Sequence, residues 1–266
     1  MGFLVGKTAI ITGAGFSQLE NGRPGSIGYG TAVAYAREGA NLVITGRDVA
    51  KLERAREELE ASYPVKVVPV RADISPRADN EAVVQNVVDR AVGEFGRIDV
   101  LVNVAQSSAC GVALTEHTRD QFEAALYSGL FATFYYMRAC HPYLKEVKGT
   151  VINFGSGAAL AGDFGQASYA AAKEGIRGLS RVAATEWAAD GINVNVVCPL
   201  AWTSQLEQFQ KAHPDAFAVN VQVPPAGRFG DAEADIGRIC VALAGPDFKF
   251  MTGETITVEG GLGLRP

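Results

Sequence analysis

The sequence predicts a doubly wound, parallel α/β sheet with helices on both faces. Three observations carry this reading. Short apolar runs alternate with helical stretches along the chain, the pattern by which parallel strands are connected. A glycine-rich turn joins the first run to the first helix. The 266 residues are 48% hydrophobic and 20% charged, ordinary values for a globular protein, with no internal repeat, low-complexity segment or linker. A single domain over 1–266 is therefore expected.

In chain order, Lys7 to Thr12 is an apolar run closed by Gly13 and reads as a buried strand. Gly15, Gly22, Gly25, Gly28 and Gly30 follow, and Thr31 to Glu38 reads as a helix. Strand, glycine turn and helix together suit a dinucleotide pyrophosphate. Glycines let the backbone approach, and the helix N-terminus offers free N–H groups. The motif is split: Thr12-Gly13-Ala14-Gly15 and Gly25-Ser26-Ile27-Gly28 read as its halves, parted by an insert around Phe16 to Pro24. Asn41 to Thr45 is the second strand, ending at Gly46-Arg47-Asp48. An acidic residue there would hold the ribose 2′-hydroxyl of NAD. Arg47 instead suits a 2′-phosphate and leans towards NADP over NAD.

Asp48 is a plausible N-cap for a helix with Val49, Leu52, Ala55 and Leu59 on one face. Val65 to Arg71 is a third strand, followed by Ala72-Asp73-Ile74. Asn80 to Phe95 is helical with Val83, Val87, Val88 and Ala91 inward, and Val100 to Asn103 is the fourth strand. Thr118 to Lys145 reads as a long helical segment, interrupted near Gly129 and ended near Pro142. Thr150 to Phe154 is a strand running into Gly155-Ser156-Gly157, and Tyr169 to Ala189 is a second long helix. Ile192 to Val197 is a strand before Cys198-Pro199. Residues 200–228 have weak periodicity and three prolines, and read as a partly helical flap. A helix over Asp231 to Ala244 and a strand over Glu254 to Val258 complete the chain.

Several functions are disfavoured. A net charge of −5 offers no basic footprint for nucleic acid or an anionic membrane. No apolar run reaches membrane-spanning length, and no secretory leader precedes the first strand. Cys110, Cys140, Cys198 and Cys240 are scattered, with no metal-ligand spacing, so reduced thiols and no metal site are expected. A cytoplasmic protein follows.

Tyr169 and Lys173 lie four residues apart, on one helical face. An ammonium beside a phenol favours the phenolate, so Tyr169 can exchange a proton near neutral pH. Ser156, on the preceding loop, can hold a substrate oxygen. On its own this spacing is weak evidence and more often marks a packed tyrosine and a solvated lysine.

The features taken together resemble the short-chain dehydrogenase/reductase superfamily over essentially the whole chain. They are Thr12-Gly13, Asp73, Asn103-x-Ala105, Ser156, Tyr169-x-x-x-Lys173, Pro199 and Glu259-Gly260-Gly261, with Ser156 13 residues (169 − 156) before Tyr169. The resemblance implies a Rossmann-like fold and three catalytic residues. Tyr169 is the general acid or base, Lys173 lowers its pKa and binds the nicotinamide ribose, and Ser156 holds the substrate oxygen. It places Gly13, Ser26, Ile27, Arg47, Asp73, Ile74, Asn103, Ala105, Tyr169, Lys173, Pro199 and Thr203 at the cofactor. Three positions depart from the family pattern. Gln106 stands where glycine is usual after the fourth strand, Gly129 where the long helix usually offers a catalytic asparagine, and Leu200 where glycine is common after Pro199. Ser128 or a water is the expected substitute for the asparagine.

The stretches Tyr127-Ser128-Gly129-Leu130, Ala132 to Arg138, Ala170 to Ser180 and Val197 to Thr203 resemble the bacterial NADP-dependent hydroxysteroid dehydrogenases that act on the 12α-hydroxyl of bile acids. This implies a bulky, apolar steroid substrate. Leu160, Phe164, Trp202, Leu206, Phe209 and Phe217 are expected to line its pocket over Ser156 and Tyr169. Gln106 or His213 is a candidate for a substrate hydroxyl, and Lys211 or Arg228 for a bile-acid carboxylate. Two other readings stand beside this one: a reductase of 3-oxoacyl carrier protein or another bulky ketone, and a non-catalytic NADP-binding sensor, for which Gly129 is the main support. The resemblance also implies a homo-oligomer, a tetramer or dimer, through the long helices from Thr118 and Tyr169.

Overall fold

The computed structural model describes residues 2–76 and 78–263. Seven parallel strands form one sheet: β1 (Thr8–Thr12), β2 (Asn41–Gly46), β3 (Val67–Arg71), β4 (Val100–Asn103), β5 (Thr150–Phe154), β6 (Asn193–Pro199) and β7 (Thr255–Val258). Their order is β3-β2-β1-β4-β5-β6-β7. The chain starts at the centre, winds outwards through β2 and β3, then returns to add β4 beside β1. That reversal opens a crevice at the carboxyl ends of β1 and β4, where open α/β sheets bind ligands.

The central strands are mostly apolar and buried because helices cover both faces, with Asn153, Asn193 and Asn195 among the few polar residues they bury. On one face α1 (Ile27–Arg37), α2 (Val49–Ser62) and α10 (Arg238–Leu243) bury Ala32, Tyr35, Leu52, Leu59 and Val241 against Ile11, Leu42 and Ile44. On the other, α3 (Asn80–Phe95), α5 (Ala132–Val147) and α7 (Ala167–Trp187) bury Val87, Tyr136, Leu144 and Ala183 against Ile10, Leu101 and Val151. Helix α4 (Arg119–Leu126) runs into α5 through a π-turn over Tyr127–Phe131. The short α6 (Gly157–Ala161) follows β5, while α8 (Ser204–Ala212) and α9 (Pro214–Asn220) occupy the flap. A second π-turn, Ala232–Gly237, leads into α10.

Capping follows the local chemistry. Asp48 Oδ1 accepts from Lys51 N at 3.1 Å, as expected of an N-cap. Ser26 caps α1 through Oγ and Tyr29 N, which accounts for a serine at a glycine position and starts α1 four residues before the expected Thr31 (31 − 27). Two sequence expectations are corrected. Val49 is 51% exposed, because the first helical residue projects past the sheet. Pro142 lies inside α5 and does not end it. An internal proline costs about 3 kcal/mol, but Cys140 and Leu144 are fully buried on either side and hold the helix on the sheet through Val147. The interruption expected near Gly129 is the π-turn.

Candidate active site

Strand β5 ends at Phe154 and hands the chain to Ser156, which is buried at the start of α6. Its hydroxyl makes no capping bond and instead eases the Tyr169 phenol towards a lower pKa. Tyr169 is in the first turn of α7, and Lys173 follows one turn later. Lys173 is only 4% exposed. Its Nζ donates to Phe154 O at 2.8 Å and lies 5.6 Å from the centre of the Tyr169 ring.

The electrostatics differ from the expectation drawn from spacing. Burial pushes the Tyr169 phenol above its ordinary value, and the Ser156 hydrogen bond is what pulls the other way. Lys173 does not lower Tyr169 in this arrangement. Burial drags the ammonium itself down to about 8, and Nζ is turned to a backbone carbonyl. Beside the trio, His117 Nε2 lies 3.0 Å from the buried Ser168 Oγ, at the foot of Tyr169.

The crevice at the carboxyl ends of β1 and β4 is a cavity of about 650 Å³. Gly13, Ser26, Ile27, Arg47, Asp73, Ile74, Asn103, Ala105 and Thr203 all line it. Its floor is a close backbone approach: a Cβ on Gly28 would stand 2.2 Å from Gly13 O. Gly13 itself turns at φ 70°, with Thr12 Oγ1 accepting from Val104 N and Ala105 N at 2.9 and 3.0 Å. Asn103 Nδ2 donates to Asn153 Oδ1 at 2.8 Å, while Asn103 Oδ1 is buried without a partner. Free N–H groups, glycine close approach and an orphaned acceptor fit a dinucleotide. Pro199, Tyr169 and Lys173 are not among the lining residues; they belong to the neighbouring strand ends and α7.

A family model described as enoyl-(acyl carrier protein) reductase matches residues 22–263. The chain is 60% identical over 266 residues to a 12α-hydroxysteroid dehydrogenase of a Clostridium species, covering 100% of both. The chain belongs to the short-chain dehydrogenase/reductase family. A second relative, the 3-oxoacyl-acyl-carrier-protein reductase of Thermotoga maritima, is 30% identical over 261 residues, covering 97% of this chain and 98% of its own. The crystal structure of levodione reductase superposes with a TM-score of 0.86 at 26% identity, covering 98% of each chain.

In this short-chain dehydrogenase/reductase the residues expected at the substrate divide. Trp202, Phe209 and Phe217 form an aromatic cluster within the flap, with ring centres 5.9 Å (Trp202–Phe217) and 6.2 Å (Phe209–Phe217) apart. Leu160 and Leu206 are half-buried. Phe164 is 85% exposed on the loop beyond α6 and closes no wall. Gln106 lines the cofactor cavity, but its amide atoms are buried. Two cations offered for a carboxylate already have one: Lys211 pairs with Glu20, and both Arg228 guanidinium ends grip Asp235, at 2.5 and 3.0 Å. The His213 ring lies tilted against Phe209, with centres 5.7 Å apart. Ser128 is bonded to Ser107 and Ala124 O.

Sequence reasoning missed Lys51, which lines the cavity beside Arg47, one turn into α2, and has no carboxylate partner among the described residues. Its signal was its place three residues after the Asp48 N-cap. It also missed Ser17 and Ser204, whose hydroxyls meet 3.0 Å apart across the cavity rim. That contact spans 187 residues and leaves no local trace. Among the described residues no metal-ligand cluster is present, and no helix is long and apolar enough to cross a membrane.

Proposed function

We propose that this protein is an NADP-dependent oxidoreductase that interconverts a steroid alcohol and its ketone, at the 12α-hydroxyl of bile acids. The observation that carries the reading is full-length 60% identity to a relative named for that reaction. The carrier-protein reductase relative stands at 30%, and a chain of net charge −5 is a poor partner for an acidic carrier protein. The intact Ser156, Tyr169 and Lys173 weigh against a sensor.

When bound, NADP takes or returns the hydride. The chain supplies position and protons. Ser156 donates to the substrate oxygen and stabilises charge that develops on it. Tyr169 takes the hydroxyl proton in alcohol oxidation and returns it in ketone reduction. Lys173 holds the nicotinamide ribose and, once its ammonium turns from Phe154 O, favours the phenolate. Gly13, Ser26 and Ile27 would hold the pyrophosphate at the start of α1. Arg47 and Lys51 would hold the 2′-phosphate, Asp73 and Ile74 the adenine, and Asn103, Ala105, Pro199 and Thr203 the nicotinamide end. Residues 200–228 close over a steroid with Trp202, Leu206 and Phe209 as its apolar wall. We assign the protein to the cytoplasm as a homo-oligomer.

The test is purified protein with NADP and either cholate or a bile acid lacking the 12-hydroxyl, followed by absorbance of the reduced cofactor. Turnover of cholate alone is expected, and equal rates with both substrates would sink the 12α assignment. The same assay with Arg47→Ala should show affinity lost for NADP far more than for NAD; an equal loss for both would remove the 2′-phosphate argument.

A further inference from the structure

At the opposite end of the sheet from the cofactor crevice, the starts of β1, β4 and β5 surround a second cavity of about 430 Å³. Lys7, Arg97, Lys148 and Lys249 line it, with Asp99 as the one carboxylate among its lining residues. Asp99 is already committed. Its Oδ2 accepts from Thr8 N at 2.9 Å and from Arg97 Nε at 2.8 Å, and its Oδ1 accepts from Arg97 Nη2 at 2.6 Å. Three lysines are left, none of which takes part in a salt bridge among the described residues. Three uncompensated cations on one cavity run against a net charge of −5 for the chain.

Two of these lysines are held in place. Lys249 Nζ donates to Lys148 O at 2.9 Å and to Oγ1 of the buried Thr150 at 3.3 Å. Lys249 O accepts from Nδ2 of the buried Asn193 at 2.9 Å. Burial, with the like charge of Lys7 nearby, pulls the Lys249 ammonium below its ordinary value, a penalty that a bound anion would reverse. Lys148 bears its penalty in the backbone. It is the one residue other than glycine with positive φ among the described residues, at 54°. Glycine takes this left-handed helix cap without strain, and glycine fills it after α3 (Gly96) and α6 (Gly162). The Lys148 stem lies over Gly191, where a Cβ would stand 3.0 Å from Lys148 Cγ. Strain retained at a position that keeps a long cation points to a use for the charge. Helix ends explain only part of it. Helix α5 ends here at Val147, and Ala244 caps α10. Each end carries about half a negative charge, so the two together match about one lysine.

We propose that this cavity binds a phosphate-class dianion, held by Lys7, Lys148 and Lys249 at the end of the sheet away from the chemistry. Two negative charges balance what the helix ends leave over. Each ammonium offers three donors on a flexible stem, which suits a tetrahedral oxyanion. The chemistry is the same for the free ion and for a small phosphate ester, and the cavity has room for either. The site goes beyond the oxidoreductase reading and does not depend on it.

The experiment compares the melting temperature of the full chain at pH 7 in sodium phosphate and in sodium chloride of equal ionic strength. Phosphate also suits the cofactor cavity beside Arg47 and Lys51, so Arg47→Ala/Lys51→Ala is measured beside wild type, Lys148→Gly and Lys249→Met. At about fivefold excess over its dissociation constant, phosphate should raise the wild-type melting temperature by about 2–4 °C over chloride. The shift should saturate, persist in Arg47→Ala/Lys51→Ala, and vanish in Lys249→Met and Lys148→Gly. In chloride, Lys148→Gly should melt no earlier than wild type, since glycine makes the same turn without strain. An equal shift in all four proteins would mean a general salt effect or an adventitious ion only, and a shift lost only in Arg47→Ala/Lys51→Ala would place the phosphate in the cofactor cavity. Either result overturns the proposal. So does early melting of Lys148→Gly in chloride, which would show a lysine kept for packing. Glycerol 3-phosphate separates the two sources: a larger shift than phosphate gives at the same concentration assigns an ester, and an equal or smaller one assigns the free ion.

Discussion

Tyr169 feels two opposed pulls: burial keeps its proton on, and the Ser156 hydrogen bond eases it off. Tyr169→Phe keeps the ring's packing and removes the hydroxyl. Turnover should vanish in that variant while cofactor titration gives an unchanged affinity; residual turnover near the wild-type rate would refute the role. Lys173 makes a separate, signed prediction. Its folded pKa of about 8 lies below the ordinary lysine value of 10.5. Below pH 8 both folded and unfolded chains are protonated, and the fold bears the cost of a buried ammonium. Between pH 8 and 10.5 the unfolded chain binds more protons, so stability rises with pH. Relative to Lys173→Met, the wild type should therefore gain up to about 3 kcal/mol across that window. Urea titrations at pH 7 and pH 10 read the difference, and a flat difference would contradict the buried ammonium. The trio was legible in the sequence because it is written in short spacings: Ser156, Tyr169 and Lys173 sit on adjoining elements. Lys211 and Arg228 were not legible as ion pairs, because Glu20 is remote in sequence and Asp235 lies across a turn. Residue type offers a charge but does not say which opposite charge already neutralises it.

At the scale of elements, the insert from Phe16 to Pro24 has a structural role. Gln18 and Pro24 pair as a small antiparallel bridge, and Gly25 N donates to Ser17 O at 2.7 Å. The hairpin leans on α8, which buries no residue of its own in the core. Ser17 Oγ meets Ser204 Oγ at 3.0 Å, Ser204 N donates to Gly25 O at 2.8 Å, and Glu20 pairs with Lys211. At its base, Phe16 N donates to Lys51 O at 2.8 Å, and the Arg54 guanidinium lies 3.8 Å over the Phe16 ring. One element thus touches both the cofactor rim and the substrate flap. An exposed ion pair such as Glu20–Lys211 is worth at most about 1 kcal/mol, so Glu20→Ala alone should change little. Replacing residues 18–23 by two glycines should raise KM severalfold for both NADP and bile acid and speed proteolysis within 200–228. The melting temperature should fall modestly, since Leu19 within the hairpin is buried. Unchanged KM values for both would show that the hairpin is ornament. The sequence marked this segment as an interruption of the glycine turn but could not say what it met, because every contact to α8 is long-range.

For the whole molecule, hydrophobic periodicity was enough to identify the strands and the parallel winding, since buried strands are mostly apolar and the helices alternate with them along the chain. Their order was beyond it, because every interior strand reads alike. What the folded chain leaves outside is equally specific. Tyr127, Phe131, Phe134 and Tyr135 form a row on the outer side of the π-turn and α5, with Tyr127–Phe131 centres 4.7 Å apart and Phe134–Tyr135 centres 5.4 Å apart. Phe131 and Phe134 are 37% and 38% exposed, and Val182 on α7 is 54% exposed. Arg138 lies 5.4 Å over the Phe134 ring. Aromatic residues with an arginine at the margin are the composition of an interface core. The face also backs directly onto the π-turn and onto α7, so covering it would stiffen the helices that hold Tyr169 and Lys173. The expected outcome is a mass of two or four chains by light scattering. Phe131→Glu together with Phe134→Glu would bury two carboxylates against like charge in a symmetric contact and should halve that mass. Turnover per chain should fall with it, in step with dilution. A wild-type protein that remains a single chain at micromolar concentration, or a double variant of unchanged mass, would rule out this face as the contact.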